Sequence, residues 1–156
     1  MSWRNVTFEE MPGPKALLEL MWPNLKPGIV SATRTIRITN SSASPAFTMT
    51  LVRLVVKPLH GHFALSTNEL GTFLWGTDEQ GREAVGERWV EARVGAAAFQ
   101  AIGGAYGNGS LATNYLALAN LAPAATVDID LRVNVPANAS TARFARVRLG
   151  LSYLPV

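Results

Sequence analysis

The stretch that decides the fold is Thr126–Pro136, "TVDIDLRVNVP". Val127, Ile129, Leu131, Val133 and Val135 alternate with Asp128, Asp130, Arg132 and Asn134. Successive side chains of a strand point to opposite faces, so a period of two predicts a β-strand with one dry and one charged face. A strand with one dry face needs a second layer to cover it.

Working outward, "ARVRLGLSY" (145–153) alternates in the same way. If "PANAS" (136–140) closes a hairpin, Asp130 stands across from Arg146 and Asp128 across from Arg148, a favourable ladder of opposite charges. If the two strands lie in opposite sheets, their dry faces meet in the core and these charges never do. "ATRTIRIT" (32–39) places Ile36 and Ile38 on one face, and "NSSASP" (40–45) is a turn signal. "AFTMTLVRLVVKP" (46–58) alternates through Phe47, Met49 and Leu51, then shifts to Leu54 and Val56. That shift predicts a bulge near 52–53 or a strand buried on both faces. The cover expected over Thr126–Pro136 is a sheet carrying Ile36, Ile38 and the Phe47/Met49/Leu51 stripe.

"EAVGERWVEARV" (83–94) reads as a strand with Val90, Ala92 and Val94 on one side, and "LATNYLALANL" (111–121) as another. "HFALS" (62–66) and "TFLWG" (72–76) read as short strands and "GTDEQGR" (76–82) as an exposed hairpin loop. "GAAAFQAIGGAYGNGS" (95–110) is either a short helix over 96–102 or a loop over one end, because its glycines disfavour an interior strand. The expectation is an all-β, antiparallel β-sandwich, jelly-roll or immunoglobulin-like, of about seven to nine strands with little helix.

Residues 1–30 differ. Prolines at 12, 14, 23 and 27 punctuate an arm in which Lys15–Trp22 reads as a short helix, opened by Pro14 and stopped by Pro23. A helix that short is unstable alone and must dock. The expected organisation is an N-terminal arm with a short helix (1–30) and a β-sandwich domain (31–156). Leu17, Leu20, Met21 and Trp22 of the arm, with Phe99, Ile102 and Tyr106 of the Ala/Gly-rich loop, are the candidate contacts between subunits. Deleting residues 1–24 is expected to loosen such an assembly and leave the sandwich folded.

The chain has 156 residues, enough for one domain with a real core. It is 48% hydrophobic and only 16% charged, which suits a protein that buries surface in an assembly. The net charge is +3 and the pI about 9.7. The arginines at 34, 37, 53, 82, 88, 93, 132, 143, 146 and 148 form no run, so solvated strand faces are expected and no direct nucleic-acid partner. The absence of cysteine excludes disulfides, Cys-ligated zinc and thiol nucleophiles. The N-terminus has no basic region leading into an apolar run, so no secretory signal is read, and no apolar stretch is long enough for a transmembrane helix.

His60 and His62, the only histidines, share a strand face in "LHGHF" and could reach one metal, resembling the His-x-His of cupins. No third histidine exists and Glu69 is too distant for that pattern, so no metal and no cofactor are expected. No serine elbow, phosphate loop or defined carboxylate pair marks a catalytic site, and an enzyme is not expected. Asn5, Asn40, Asn108 and Asn138 open glycosylation sequons that read as chance matches in loop-rich sequence. Trp75, beside the 76–82 loop, and Tyr106 are the candidate ligand contacts for a stacking platform.

"RTIRITNSSASPAFTMTLVRL" (34–54) resembles the opening of immunoglobulin-like bacterial repeat domains, and "NLAPAATVDIDLRVNVPANAS" (120–140) resembles their closing hairpin. The region 58–113 departs from that pattern and is longer. A compact, cysteine-free β-domain with a proline-rich arm also looks like a bacteriophage virion component of the decoration or jelly-roll capsid type. That likeness implies self-association as a trimer or larger symmetric assembly, docking to other capsid proteins, and a place in the virion after assembly in the host cytoplasm. The alternative is an immunoglobulin-like binding module for carbohydrate or a cell-surface partner.

Overall fold

The computed structural model describes residues 2–3, 5–17, 19–58, 89–102, 115–137 and 145–156. They contain eleven strands and no helix. The strands are β1 (Ser2–Trp3), β2 (Val6–Met11), β3 (Lys15–Ala16), β4 (Glu19–Trp22), β5 (Arg34–Asn40), β6 (Met49–Pro58), β7 (Val90–Val94), β8 (Gln100–Ala101), β9 (Leu116–Leu118), β10 (Thr126–Val133) and β11 (Ala145–Pro155). They form two antiparallel sheets. The larger runs β1-β2-β5-β10-β7-β8, with β3 also paired to β2; the smaller runs β4-β11-β6-β9. The expected β-sandwich is thus present.

The order β2-β5-β10-β7 is that of strands A-B-E-D of an immunoglobulin-type sandwich, and β6 beside β11 matches its C-F pair. β4 sits on the far side of β11, where strand G would lie.

β10 explains the arrangement. Its Ile129, Leu131 and Val133 are fully buried and Val135 is nearly so, as the alternation predicts. Ile36 and Ile38 of β5 and Val90 and Ala92 of β7 extend that dry face within the same sheet. The smaller sheet covers it with Leu20 and Trp22, Val147 and Leu149, Met49, Val52, Leu54 and Val56, and Leu116. Each buried Val, Leu or Ile contributes about 1.5–3 kcal/mol. Ile36 and Ile38 are therefore neighbours of β10 rather than its cover. Of the two arrangements open for β10 and β11, the structure has the second, with the strands in opposite sheets. The chain crosses between sheets there, because both strands own dry faces that only an opposite layer can bury.

The phase shift in β6 is a bulge. Ser152 pairs with Arg53 and Leu154 with Thr50, so β6 carries one residue more than β11 between these pairs. Leu51 takes φ +50 and turns outward into solvent, while Val52 drops into the core. Leu51 accordingly leaves the expected apolar stripe. Val55 is also buried, although alternation points it to the face opposite Leu54 and Val56. Gly150 stands opposite it in register, where a Cβ would come within 3.1 Å of Val55 Cγ2.

The short helix over Lys15–Trp22 is overturned. Lys15–Ala16 pairs with β2 and Glu19–Trp22 pairs with Ala145–Arg148 of β11, so this segment passes from one sheet to the other. Leu20 and Trp22 are buried while Glu19 and Met21 are exposed, the alternation of an edge strand. Good helix formers lose here because two turns of isolated helix are marginal and β11 offers a backbone ladder. β2, β3 and β4 are part of the sandwich, with Val6, Phe8, Leu20 and Trp22 in its core. The helix expected as one alternative over 96–102 is likewise replaced by a turn and β8.

The "NSSASP" turn holds the only fully buried polar side chain among the described residues. Asn40 Nδ2 donates to the carbonyls of Phe47 and Leu121, both at 2.8 Å, and Oδ1 accepts from the Ser42 amide at 3.0 Å and hydroxyl at 2.7 Å. Phe47 leads into β6, and Leu121 exchanges two backbone hydrogen bonds with Met49. One carboxamide from the larger sheet therefore fixes the entry to the smaller one.

Asn40→Ala removes four hydrogen bonds and leaves the buried Ser42 amide without its acceptor, so it should lower the unfolding free energy by about 2–4 kcal/mol in urea denaturation; an unchanged midpoint would contradict the bridging role. Deletion of residues 1–24 removes β2 and β4, so the truncated chain should lose its cooperative thermal transition. A truncated protein with a sharp, wild-type-like melt would restore the reading of these residues as a detachable arm.

Candidate functional site

The charged face of β10 lies on the outside of the larger sheet. Arg37 Nε donates to Asp128 Oδ1 at 2.8 Å and its Nη2 to Oδ2 at 3.1 Å. Asp130 accepts from Thr35 Oγ1 at 2.7 Å and from Arg93 Nε at 3.0 Å. Arg132 Nε donates to Glu91 Oε1 at 2.7 Å, and Asn134 Nδ2 reaches the other Glu91 oxygen at 3.2 Å. The Phe99 ring lies against two of these guanidiniums, 4.4 Å from Arg93 Cζ and 3.8 Å from Arg132 Cζ.

The expected charge ladder exists, but its arginines are Arg37, Arg93 and Arg132, not Arg146 and Arg148. Arg148 approaches Glu19 at 3.6 Å in the other sheet. The Arg37 guanidinium hydrogen-bonds Asp128 and holds its carboxyl below the usual range. General acid catalysis needs a carboxyl kept protonated near neutral pH, the opposite of this environment. Pairs this exposed are weakened by solvent and bias register more than they add stability.

At the other end of β5, Arg34 joins the two sheets. Nε and Nη2 form a fork on Glu10 at 2.7 and 2.6 Å, while Nη1 donates to the Met21 carbonyl of β4 at 2.6 Å. The guanidinium carbon sits 5.7 Å from the Trp22 ring centroid, and Trp22 Nε1 donates to the Ala32 carbonyl at 3.2 Å. The hydrogen bond from Arg34 holds the Glu10 carboxyl below its ordinary value, against the opposing effect of partial burial.

A carboxyl lowered in the folded state contributes stability above its unfolded pKa and loses it as pH falls through the folded value. Glu10→Gln should cost about 1 kcal/mol at neutral pH and flatten the loss of stability below about pH 4. Chemical denaturation across that range checks this; an acid limb as steep as the wild type's would contradict it.

The residues expected to form contacts separate. Leu20, Trp22 and Ile102 are buried core side chains, so they are unavailable to a neighbouring subunit. Their apolar character serves the sandwich itself. Leu17 is half-buried against the core, and Phe99 is half-buried in its arginine stack. Met21 is exposed and remains open to a partner. His60, His62, Trp75 and Tyr106 lie outside the described residues, as do "HFALS", "TFLWG" and the 76–82 loop. Among the described residues no group of three or more His, Asp or Glu is placed to hold a metal ion.

The outside of the smaller sheet combines two features that sequence reading missed. At one end Leu51, Leu154 and Val156 are exposed; Leu154 pairs with Thr50, and Val156 exchanges hydrogen bonds with Thr48. Beside them, the Arg53 guanidinium lies 4.5 Å from the Tyr115 ring centroid, and Gln100 Nε2 donates to the Tyr115 carbonyl at 3.2 Å. The phase shift near residues 52–53 is the one sequence signal for this surface, although the sequence pattern keeps Leu51 in the apolar stripe.

Comparison of the chain with protein-family models, curated proteins and solved structures finds no match.

Proposed function

We propose that this chain is a non-enzymatic structural protein of a virus particle, a capsid or capsid-decoration subunit, acting through self-association and docking. The observation that carries the reading is the apolar group at the end of the β6–β11 ribbon. Leu51, Leu154 and Val156 are 60%, 53% and 81% exposed on a scaffold that buries most of its other strand leucines and valines. Grouped apolar side chains in water favour contact with another protein surface. Copies of the same chain, in a trimer or larger symmetric assembly, are the first partners, and other capsid proteins the second. Its place is the virion.

Light scattering over a range of protein concentrations tests the reading. The wild type should form a defined oligomer, and Leu51→Lys with Leu154→Lys should shift it to monomer with little change in melting temperature. A wild-type protein that stays monomeric throughout would contradict self-association.

The immunoglobulin-type strand order favours a second reading, a binding module for carbohydrate or a cell-surface partner. A monomer that binds a specific glycan on an array would support it over the first.

A further inference from the structure

Charge is unevenly placed along this chain. No Asp, Glu, Lys, Arg or His occurs in 38–52, 94–127 or 149–156, although the chain as a whole is 16% charged. The fold gathers parts of all three ranges at one end of the sandwich. Thr39 of β5 stands in register with Thr126 at the start of β10. β6 begins at the same end, where Met49 pairs with Pro155 of β11 and bridges to Leu121. The connections 41–48 and 119–125 and the last residues of β11 therefore share one tip, and none of them carries a charged side chain.

Hydrogen bonds stitch this tip into one plate. The Asn40 amide donates to the Ala125 carbonyl at 3.0 Å, and the Asn40 carbonyl accepts from the Ala124 amide at 2.8 Å. Met49 exchanges two backbone bonds with Leu121, and Thr48 two with Val156. From inside, the Asn40 carboxamide holds the carbonyls of Phe47 and Leu121. The Phe47 ring stacks on Tyr153 with centroids 5.9 Å apart. The outward side chains are small: Ala43, Pro45, Ala46, Ala122 and Pro123 are all exposed. Alanine and proline have no rotamer freedom to lose on contact, and a backbone already fixed costs little to dock. The exposed Leu51, Leu154 and Val156 continue this surface, because Leu154 pairs with Thr50 and Val156 with Thr48.

We propose that this uncharged tip is the contact between copies of the chain, tip against tip around a rotation axis. The inference rests on the self-association reading and names both the surface and its partner. The partner follows from electrostatic matching. A charged group pressed against the tip would lose its water and meet no counter-charge. That disfavours the outer face of the larger sheet as the opposing surface, because Arg37, Asp128, Arg93 and Asp130 lie there. It equally disfavours the opposite end of the sandwich, where Glu10 and Arg34 pair. The same tip of another copy carries no such penalty, and a surface matched to itself closes about an axis. A bilayer interface is matched less well, since it favours large aromatic side chains, whereas the exposed residues of these connections are mainly alanine and proline.

Analytical ultracentrifugation of the full chain over a wide concentration range tests it. Ala46→Lys with Ala122→Lys places two charges on the tip at exposed positions. It should weaken self-association at least about tenfold, with little change in melting temperature. Ala46→Gln with Ala122→Gln adds bulk without charge and should weaken it in the same direction, which serves if the lysines disturb folding. The control, Lys15→Glu with Lys26→Glu, alters exposed positions outside the tip and should change the association constant by less than about twofold. An uncharged contact also predicts an association constant constant within about twofold between roughly 50 and 500 mM salt. A wild-type oligomer that both tip variants leave intact, or that the control dissociates, would overturn the tip contact and leave self-association standing. A wild type that stays monomeric at every concentration would overturn both. A monomer that floats with phosphatidylcholine vesicles would assign the tip to a membrane instead.

Discussion

Ile129, Leu131, Val133 and Val135 of β10 and its C-terminal extension stand in a row that water cannot satisfy, in the middle of a sheet whose neighbours add Ile36, Ile38, Val90 and Ala92. One layer cannot bury such a surface. β4, β6, β9 and β11 supply the second, and each buries one side of its alternation, which leaves the charged residues of the strands facing outward. The two outer faces are therefore consequences of the core. One carries a ladder of ion pairs and the other the exposed Arg53 against the Tyr115 ring.

Two polar devices set how the layers meet. At one end Asn40, fully buried, commits its carboxamide to Phe47, Leu121 and Ser42. At the other Arg34 grips Glu10 of one sheet and the Met21 carbonyl of the other. Apolar burial drives the sheets together without direction. Hydrogen bonds at the two ends choose one offset. The buried device matters more to stability, because hydrogen bonds lost in the core cost more than a half-exposed ion pair returns.

The strands with clean alternation, β5, β7 and β10, were legible in the sequence, and so was the irregularity in β6. The sheet to which each strand belongs was not. An alternating strand states that it has a dry face but not which layer lies beside it, so Asp128 and Asp130 could be matched equally well to Arg148 and Arg146 or to Arg37 and Arg93. Lys15–Trp22 misled for a different reason. Its residues favour helix locally, and only the distant ladder of β11 makes them strand. The candidate surface was hidden by the same non-locality. Arg53 and Tyr115 are far apart in the chain but meet because β6 and β9 are paired, so their contact leaves no local signal.

The placement of β10 is tested most directly by cross-linking, with no native thiol to interfere. Cysteines at 37 and 128 stand in register on adjacent antiparallel strands, within the reach of a disulfide. Cysteines at 128 and 148 would be neighbours only if β10 and β11 formed a hairpin. The 37/128 variant should form its disulfide readily under mild oxidation, and the 128/148 variant should remain reduced. The reverse outcome would contradict the two-sheet arrangement.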